Sequence, residues 1–259
     1  MIKARTNFAY CGLAVRVFLP AGPLASKLAC MKAIVFDFDG VIFDSEPVHF
    51  QAFLMVSKGL GIEFDYQKYL QDFIGFDDRD AFRVMLDMIG FEGPKRDRIA
   101  ELCQQKQDAF EALVHAGAAK PIDGVIDFLK QIKAAGIPFA VASGATRLDI
   151  DLMLDSIGLK DTFDIIVTAD DVAASKPHPE TYSKAVEMLA QKHADQDIQP
   201  QRCLAIEDTS AGIKSARAAG LQVLGITTSN PAEALHEAHR VIDAFEEVSP
   251  AQLKDGFVD

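Results

Sequence analysis

The sequence predicts an α/β fold, a doubly wound parallel sheet with a small all-helical domain inserted into it. Two observations lead to this prediction. From residue 31 onward, short apolar runs alternate with helical patterns, as expected for strands that are buried on both faces and joined by helices. One long helical stretch then interrupts the alternation after the first strand. The chain of 259 residues is long enough to bury a substantial core.

Five apolar segments are the predicted strands. They are AIVF (33–36), IPFAVAS (137–143), FDIIVT (163–168), CLAIED (203–208) and LQVLGIT (221–227). Helical periodicity lies between or after them, at residues 125–135, 148–156, 179–193 and 211–219. Three of these helices are followed by a glycine, which often terminates a helix. The repeated order of strand and helix predicts a Rossmann-like core.

Residues 47–116 are predicted to form a separate helical cap domain. The segments FQAFLMVSKGLG, RDAFRVMLDMIG and RIAELCQQKQDAFEALVHAG have helical periodicity, and no convincing strand lies among them. An insertion of this size should have its own small core and two short connections to the sheet. We therefore assign residues 31–46 and 117–259 to the α/β core and residues 1–30 to an N-terminal extension.

The extension, residues 1–30, has two interpretations. Lys3 and Arg5 precede an apolar stretch, which is typical of a secretory signal, but Arg16 and Lys27 interrupt that stretch. We favour a segment outside the fold. Translation would then begin at Met31, directly before the first strand.

Charge and composition exclude several classes of partner. The net charge of -12 and the pI near 4.9 argue against a nucleic acid or an anionic membrane surface. No apolar run reaches the roughly 18 residues that a membrane-spanning helix needs. The four cysteines form no CxxC pair and have apolar neighbours. We expect a cytoplasmic protein, and a monomer as the first assumption.

Two aspartates directly follow the first strand, in KAIVFDFDGVIFD. Side chains two apart on a strand point the same way, so Asp37 and Asp39 should share the carboxyl end of the sheet, where α/β proteins bind ligands. At ~5 Å and an effective dielectric of ~20 their charges would repel by ~3 kcal/mol, or about two pKa units. A bound divalent cation and a proton on one carboxyl would relieve this repulsion.

Other predicted strand ends supply the remaining groups. Glu207 and Asp208 end a strand in AIEDTSAG, and carboxylate oxygens alone select Mg²⁺ over zinc. A phosphate near that ion would need positive and hydroxyl partners. Ser143, in VASGAT, and Lys176, in AASKPHP, could provide them. The sequence therefore predicts Mg²⁺-assisted phosphate chemistry at one edge of the sheet.

The four motifs DFDGVIFDSEPVH, VASGAT, SKPHPE and IEDTSAGIKSARAAG, in this order, resemble the haloacid dehalogenase superfamily. The resemblance is to its phosphatase and β-phosphoglucomutase branch with a helical cap, and it covers residues 31 to about 230. It implies that Asp37 is the nucleophile, giving an aspartyl phosphate, and that Asp39 is the general acid and base. An acid at position 39 favours cleavage of a P–O bond over expulsion of a halide.

The resemblance also implies roles for the other motif residues. Ser143 and Gly144 would contact the transferring phosphoryl group, and Lys176 would offset its charge. Mg²⁺ would be held by Asp37, the backbone carbonyl of Asp39, Asp208 and Glu207, the last directly or through water.

Substrate choice should lie in the cap, because the core binds only the phosphate that every substrate shares. The matching cap positions are His49, Gly75 and Arg79 (the last two in the loop IGFDDRD) and Lys106. The mutase pattern has an arginine where this loop carries Asp78, whereas Lys106 matches it. We therefore expect a hydrolase of a small phosphorylated metabolite, first of all a sugar phosphate. The alternatives are a phosphosugar mutase and a non-catalytic Mg²⁺-binding or phospho-acceptor module.

Overall fold

The protein is built around a six-stranded parallel sheet. A computed structural model describes residues 31–73 and 78–254, so the predicted extension lies outside the described residues. The strands are β1 (Ala33–Phe36), β2 (Phe43–Asp44), β3 (Lys120–Pro121), β4 (Phe139–Ala142), β5 (Ile166–Val167), β6 (Cys203–Glu207), β7 (Gln222–Ile226) and β8 (Arg240–Ile242). Six of them pair in parallel in the order β5-β4-β1-β6-β7-β8.

Helices connect the strands and cover the sheet. The α-helices of the described residues are α1 (Glu46–Gly59), α2 (Tyr66–Asp72), α3 (Asp78–Met88), α4 (Lys95–His115), α5 (Val125–Ala134), α6 (Arg147–Ser156), α7 (Glu180–Lys192), α8 (Ser210–Ala218) and α9 (Pro250–Lys254). Short 3-10 helices cover Ala169–Asp171, Pro200–Arg202, Ala232–Leu235 and Phe245–Glu247. None of the helices within the described ranges is long and apolar enough to cross a membrane.

Both faces of the sheet are buried. Alternate residues of β1 enter different apolar cores, since successive side chains of a strand point to opposite faces. Ile34 and Phe36 lie in the core that contains the apolar faces of α5 and α6, whereas Ala33 and Val35 lie in the one that contains those of α7 and α8. This arrangement confirms the predicted doubly wound parallel sheet.

The observed strands differ from the predicted ones in length and number. The predicted strand 163–168 is reduced to Ile166–Val167, and β8 was not predicted. β8 has only three residues, and the first, Arg240, is exposed, so its sequence lacks the apolar run by which the other strands were recognised. The predicted helix 125–135 closely matches α5.

Between β2 and β3, the regular secondary structure of the described residues consists of four helices, α1 to α4. These helices enclose an apolar core of their own, with Phe53, Tyr69, Phe82 and Leu86 among its buried residues. We call α1 to α4 the helical insertion. β2 and β3 pair antiparallel, and this pairing holds the entry and the exit of the insertion side by side.

Candidate active site

The two aspartates of the first motif lie just beyond β1, in a tight turn. β1 ends at Phe36, and the carbonyl of Phe38 accepts hydrogen bonds from the N–H groups of Ile42 (2.8 Å) and Phe43 (3.1 Å). We had expected Asp37 and Asp39 to be strand residues whose side chains point the same way. Instead, both lie beyond the end of β1. The turn sends their carboxyl groups to different partners.

Asp37 belongs to a cluster of three buried carboxylates. One oxygen each of Asp37, Glu207 and Asp208 lies within 4.8 Å of the other two. The cluster forms because β1 and β6 are neighbours in the sheet and both end at this edge. Burial, followed by the negative charge of Glu207, raises the pKa of Asp37 well above its ordinary value. We had expected repulsion between Asp37 and Asp39, whereas the largest charge effect that raises the pKa of Asp37 comes from Glu207.

Lys176 neutralises part of this cluster. Its Nζ lies 2.8 Å from Asp37 Oδ1 and 2.8 Å from Glu207 Oε1, and its side chain is only 11% exposed. Burial alone would lower the pKa of Lys176, but Asp37 and Glu207 together raise it. The lysine is therefore a permanent cation in contact with two of the three carboxylates.

Glu207 is held by hydrogen bonds at both carboxylate oxygens. Oε1 accepts from Lys176 and from the phenol of Tyr182 (2.9 Å). Oε2 accepts from the N–H of Asp208 and from the N–H and hydroxyl of Thr209. Burial would raise the pKa of Glu207, but Lys176 and these donors lower it. Glu207 is therefore ionised and fixed in position.

Asp208 is the least satisfied member of the cluster. Its Oδ1 is buried and accepts no hydrogen bond from any residue in the described part of the chain. Burial, followed by the charge of Glu207, raises the pKa of Asp208 to about 7. A buried carboxylate oxygen without a partner is costly, and a bound cation would remove that cost. Gly40 packs so closely here that a Cβ would lie 2.0 Å from Asp208 Oδ2.

Asp39 and Ser143 are two further polar residues that the sequence predicted for the site. The hydroxyl of Ser45 donates to Asp39 Oδ1, but burial outweighs this bond and raises the pKa of Asp39. A raised pKa is compatible with the acid role that the resemblance implies for Asp39. Ser143 is buried after β4, and its Oγ accepts from the N–H of Ala145 at 2.9 Å. That bond leaves the hydroxyl proton of Ser143 available for donation.

A cavity of about 550 Å³ lies between the helical insertion and this edge of the core. Of the predicted site residues, Asp39, His49, Arg79, Lys106 and Gly144 line it. Gly75 lies outside the described residues. The lining also includes residues that the sequence did not single out, among them Glu46, Phe53, Tyr69, Asp78 and Asp149.

Lys106, in the insertion, is nearly fully buried and makes polar contacts on two sides. Its Nζ lies 3.0 Å from Asp78 Oδ1 and 3.0 Å from His49 Nδ1. An ammonium group can only donate, so Nδ1 of His49 accepts. Burial and the charge of Lys106 lower the pKa of His49 well below its ordinary value, and its ring stacks on Phe110. His49 is therefore a neutral side chain in the cavity wall.

The position of Glu207 in the cluster requires a glycine at position 212, in the first turn of α8. A Cβ at this position would lie 1.7 Å from Glu207 Oε1 and would force the glutamate out of its hydrogen bonds. We expect Gly212→Ala to lower the free energy of unfolding by about 2 kcal/mol or more, measured by urea denaturation. Gly59→Ala is the matched control, because a Cβ at Gly59 meets nothing within 4 Å. Equal stability of the two variants would contradict this packing.

Comparison with known proteins shows the family to which the chain belongs. The sequence model of the family described as haloacid dehalogenase-like hydrolase matches residues 34–226. Validoxylamine A 7'-phosphate phosphatase of Streptomyces hygroscopicus subsp. limoneus is 33% identical over 84% of this chain and 95% of its own length. The fructose-1-phosphate phosphatase YqaB of Escherichia coli (strain K12) is 28% identical over 74% of this chain and 95% of its own length.

A solved structure has the same fold. A mutant of CbbY from Rhodobacter sphaeroides, in complex with xylulose-(1,5)bisphosphate, superimposes with a TM-score of 0.72 at 27% identity, over 86% of this chain and 99% of that one. The family match extends over most of the chain, from β1 to the end of β7. This protein is therefore an enzyme that belongs to the haloacid dehalogenase-like hydrolase family, with phosphatases among its relatives.

Proposed function

We propose that this protein is a Mg²⁺-dependent phosphomonoesterase for a small phosphorylated metabolite, with a sugar phosphate as the first substrate class to test. One observation carries the proposal: Asp37, Glu207 and Asp208 converge within 4.8 Å, and Lys176 lies 2.8 Å from Asp37. The cavity between the helical insertion and the core, to which Asp39 and Gly144 contribute, can receive a small molecule. The relatives named for phosphate esters of validoxylamine A and fructose support the substrate class.

The carboxylate cluster fits a hard divalent cation. Its donors are oxygens only, which Mg²⁺ prefers, and one of them, Asp208 Oδ1, is buried without a partner among the described residues. Asp37 and Asp208 would be direct ligands, together with the backbone carbonyl of Asp39. Glu207, whose two oxygens already accept hydrogen bonds, would act through water. A bound Mg²⁺ would neutralise charge on the phosphoryl group.

The reaction would proceed in two displacements at phosphorus. A carboxylate oxygen of Asp37 attacks the phosphorus, the P–O bond of the ester breaks, and Asp39 gives its proton to the leaving alcohol. Asp39, now ionised, takes a proton from water, which attacks the aspartyl phosphate and releases inorganic phosphate. Lys176 and the hydroxyl of Ser143 would stabilise the phosphoryl oxygens in both steps.

The helical insertion, which corresponds to the predicted cap domain at residues 47–116, would act as the cap over this reaction. It supplies one wall of the cavity, so it would orient the substrate and exclude bulk water. The proposal also includes a cytoplasmic location, which the buried free thiol of Cys203 supports.

A phosphate-release assay over a panel of sugar phosphates, with Mg²⁺ and with excess chelator, tests the proposal. We expect release with Mg²⁺ and none with chelator, because metal removal leaves the carboxylate cluster repelling the phosphate. Activity that persists in excess chelator would contradict the metal assignment. A hexose 1-phosphate should give free sugar and phosphate, whereas conversion to the 6-phosphate would identify a mutase.

A further inference from the structure

Lys106, in the part of the cavity wall formed by the helical insertion, is already paired with a carboxylate. Lys106 contacts Asp78 Oδ1 at 3.0 Å, and its side chain is only 4% exposed, against 34% for Asp78. The rings of Phe53 and Phe110 lie 5.1 and 5.4 Å from its Nζ. A cation enclosed in this way is fixed by its partner. A dianionic phosphate could reach it only by competing with the carboxylate of Asp78.

The other charges of the cavity wall also disfavour a second phosphate. Glu46 accepts a hydrogen bond from Tyr69 at 2.5 Å, and Asp149 accepts from Gln107 at 3.0 Å and from Thr146 at 2.9 Å. Neither carboxyl group forms a salt bridge with a described residue, although the charge of Lys106 acts on Glu46, so both add negative charge to the cavity wall. Arg79, the other basic side chain in the lining, is exposed. Like charges in a partly desolvated site repel strongly.

The carboxylates, His49 and the aromatic rings of the cavity wall can instead bind a substrate skeleton that carries hydroxyl groups. Carboxylates accept from hydroxyls, the neutral ring of His49 can pair with them, and aromatic faces such as those of Phe53 and Tyr69 can pack on a carbon skeleton. Accordingly, we infer that the substrate carries a single phosphate on an uncharged, hydroxyl-bearing skeleton, and that Asp78 excludes a second phosphate by pairing with Lys106. This inference rests on the proposed function, since it places the first phosphate at Asp37.

Competition against p-nitrophenyl phosphate hydrolysis tests the inference without requiring that either competitor be hydrolysed. Fructose 6-phosphate and fructose 1,6-bisphosphate are compared, because they differ by one phosphate. In the wild-type enzyme we expect the monophosphate to compete at least as well as the bisphosphate. Asp78→Asn frees Lys106, so the bisphosphate should gain about tenfold in competition relative to the monophosphate. Asp80→Asn, which breaks the exposed pair with Arg83 in the same helix, should leave the ratio unchanged.

Three results would overturn the inference. One is a wild-type enzyme that prefers the bisphosphate, as expected if Arg79 binds the second phosphate. Another is an Asp78→Asn enzyme with the wild-type ratio. The third is failure of both sugar phosphates to compete at millimolar concentration. Absence of any Mg²⁺-dependent hydrolysis of p-nitrophenyl phosphate would instead refute the proposed function itself.

Discussion

Asparagine in place of Asp37 is expected to reduce phosphate release by about three orders of magnitude or more, because the amide cannot form the acyl phosphate. The fold should survive. The asparagine side chain keeps an oxygen that can accept from the N–H of Phe38, which lies 2.7 Å from Asp37 Oδ1. The substitution also removes a negative charge from the neighbourhood of Glu207 and Asp208, the residues whose charges raise the pKa of Asp37.

The loss of activity can therefore be separated from unfolding. Without metal, Asp37→Asn should melt at or above the wild-type temperature, because Lys176 keeps its contact with Glu207 and the site disfavours a charge on Asp37. Substitution of a residue with only a structural role would lower that temperature. Asp127→Asn is the matched control, because Asp127 is exposed in α5 and pairs only with Lys130 in the described structure. It should retain full activity. Substantial turnover by purified Asp37→Asn protein would remove Asp37 as the nucleophile.

The convergence of Asp37 with Glu207 and Asp208 could be predicted from the sequence because the apolar strands were easy to recognise. The charged residues that follow AIVF and end CLAIED had to meet once β1 and β6 were neighbours in a parallel sheet. The partners of each carboxyl group could not be predicted in the same way. They depend on the turn after Phe36, which separates Asp37 from Asp39, and strand periodicity does not describe that turn.

Residues that act across long sequence separations were missed for a related reason. Tyr182 donates to Glu207 from 25 positions away, and neither residue carries a local signal of that bond. Glu46 could have been found, since it precedes His49 by three positions in one helix and residues at this spacing share a face. The pairing of Lys106 with Asp78 joins two helices of the insertion, and only the fold brings them together.

Removing the central cation should have the largest effect on stability. Lys176→Met leaves three buried carboxyl groups together without their lysine, and loss of one partner of a buried pair costs about 3–5 kcal/mol. We expect a loss of this size in the metal-free protein at about pH 8, and loss of activity as well. Lys184→Met is the control: Lys184 pairs with Asp171 at 3.6 Å on the surface, and exposed pairs contribute about 0–1 kcal/mol.

The loss caused by Lys176→Met should depend on pH in a defined direction. Burial raises the pKa of Asp208 to about 7 and that of Asp37 well above its usual value, so the folded state binds protons more tightly than the unfolded state. Stability from Asp208 is complete below its unfolded pKa of about 3.9 and is lost as the pH rises through about 7, and stability from Asp37 is lost in the same direction. Lys176 opposes both upward shifts, so its removal should cost much less at about pH 5, where the carboxyl groups take up protons.

Urea denaturation of wild-type, Lys176→Met and Lys184→Met proteins in chelator, at about pH 5 and about pH 8, measures this difference. Added Mg²⁺ should restore part of the stability of Lys176→Met at the higher pH, because a second cation can replace the charge of the lysine beside Asp37 and Asp208. A loss that is the same at both pH values, or no larger than that of Lys184→Met, would mean that the carboxylates do not repel one another. The cluster would then have no need of a cation, and the proposed metal site would lose its physical basis.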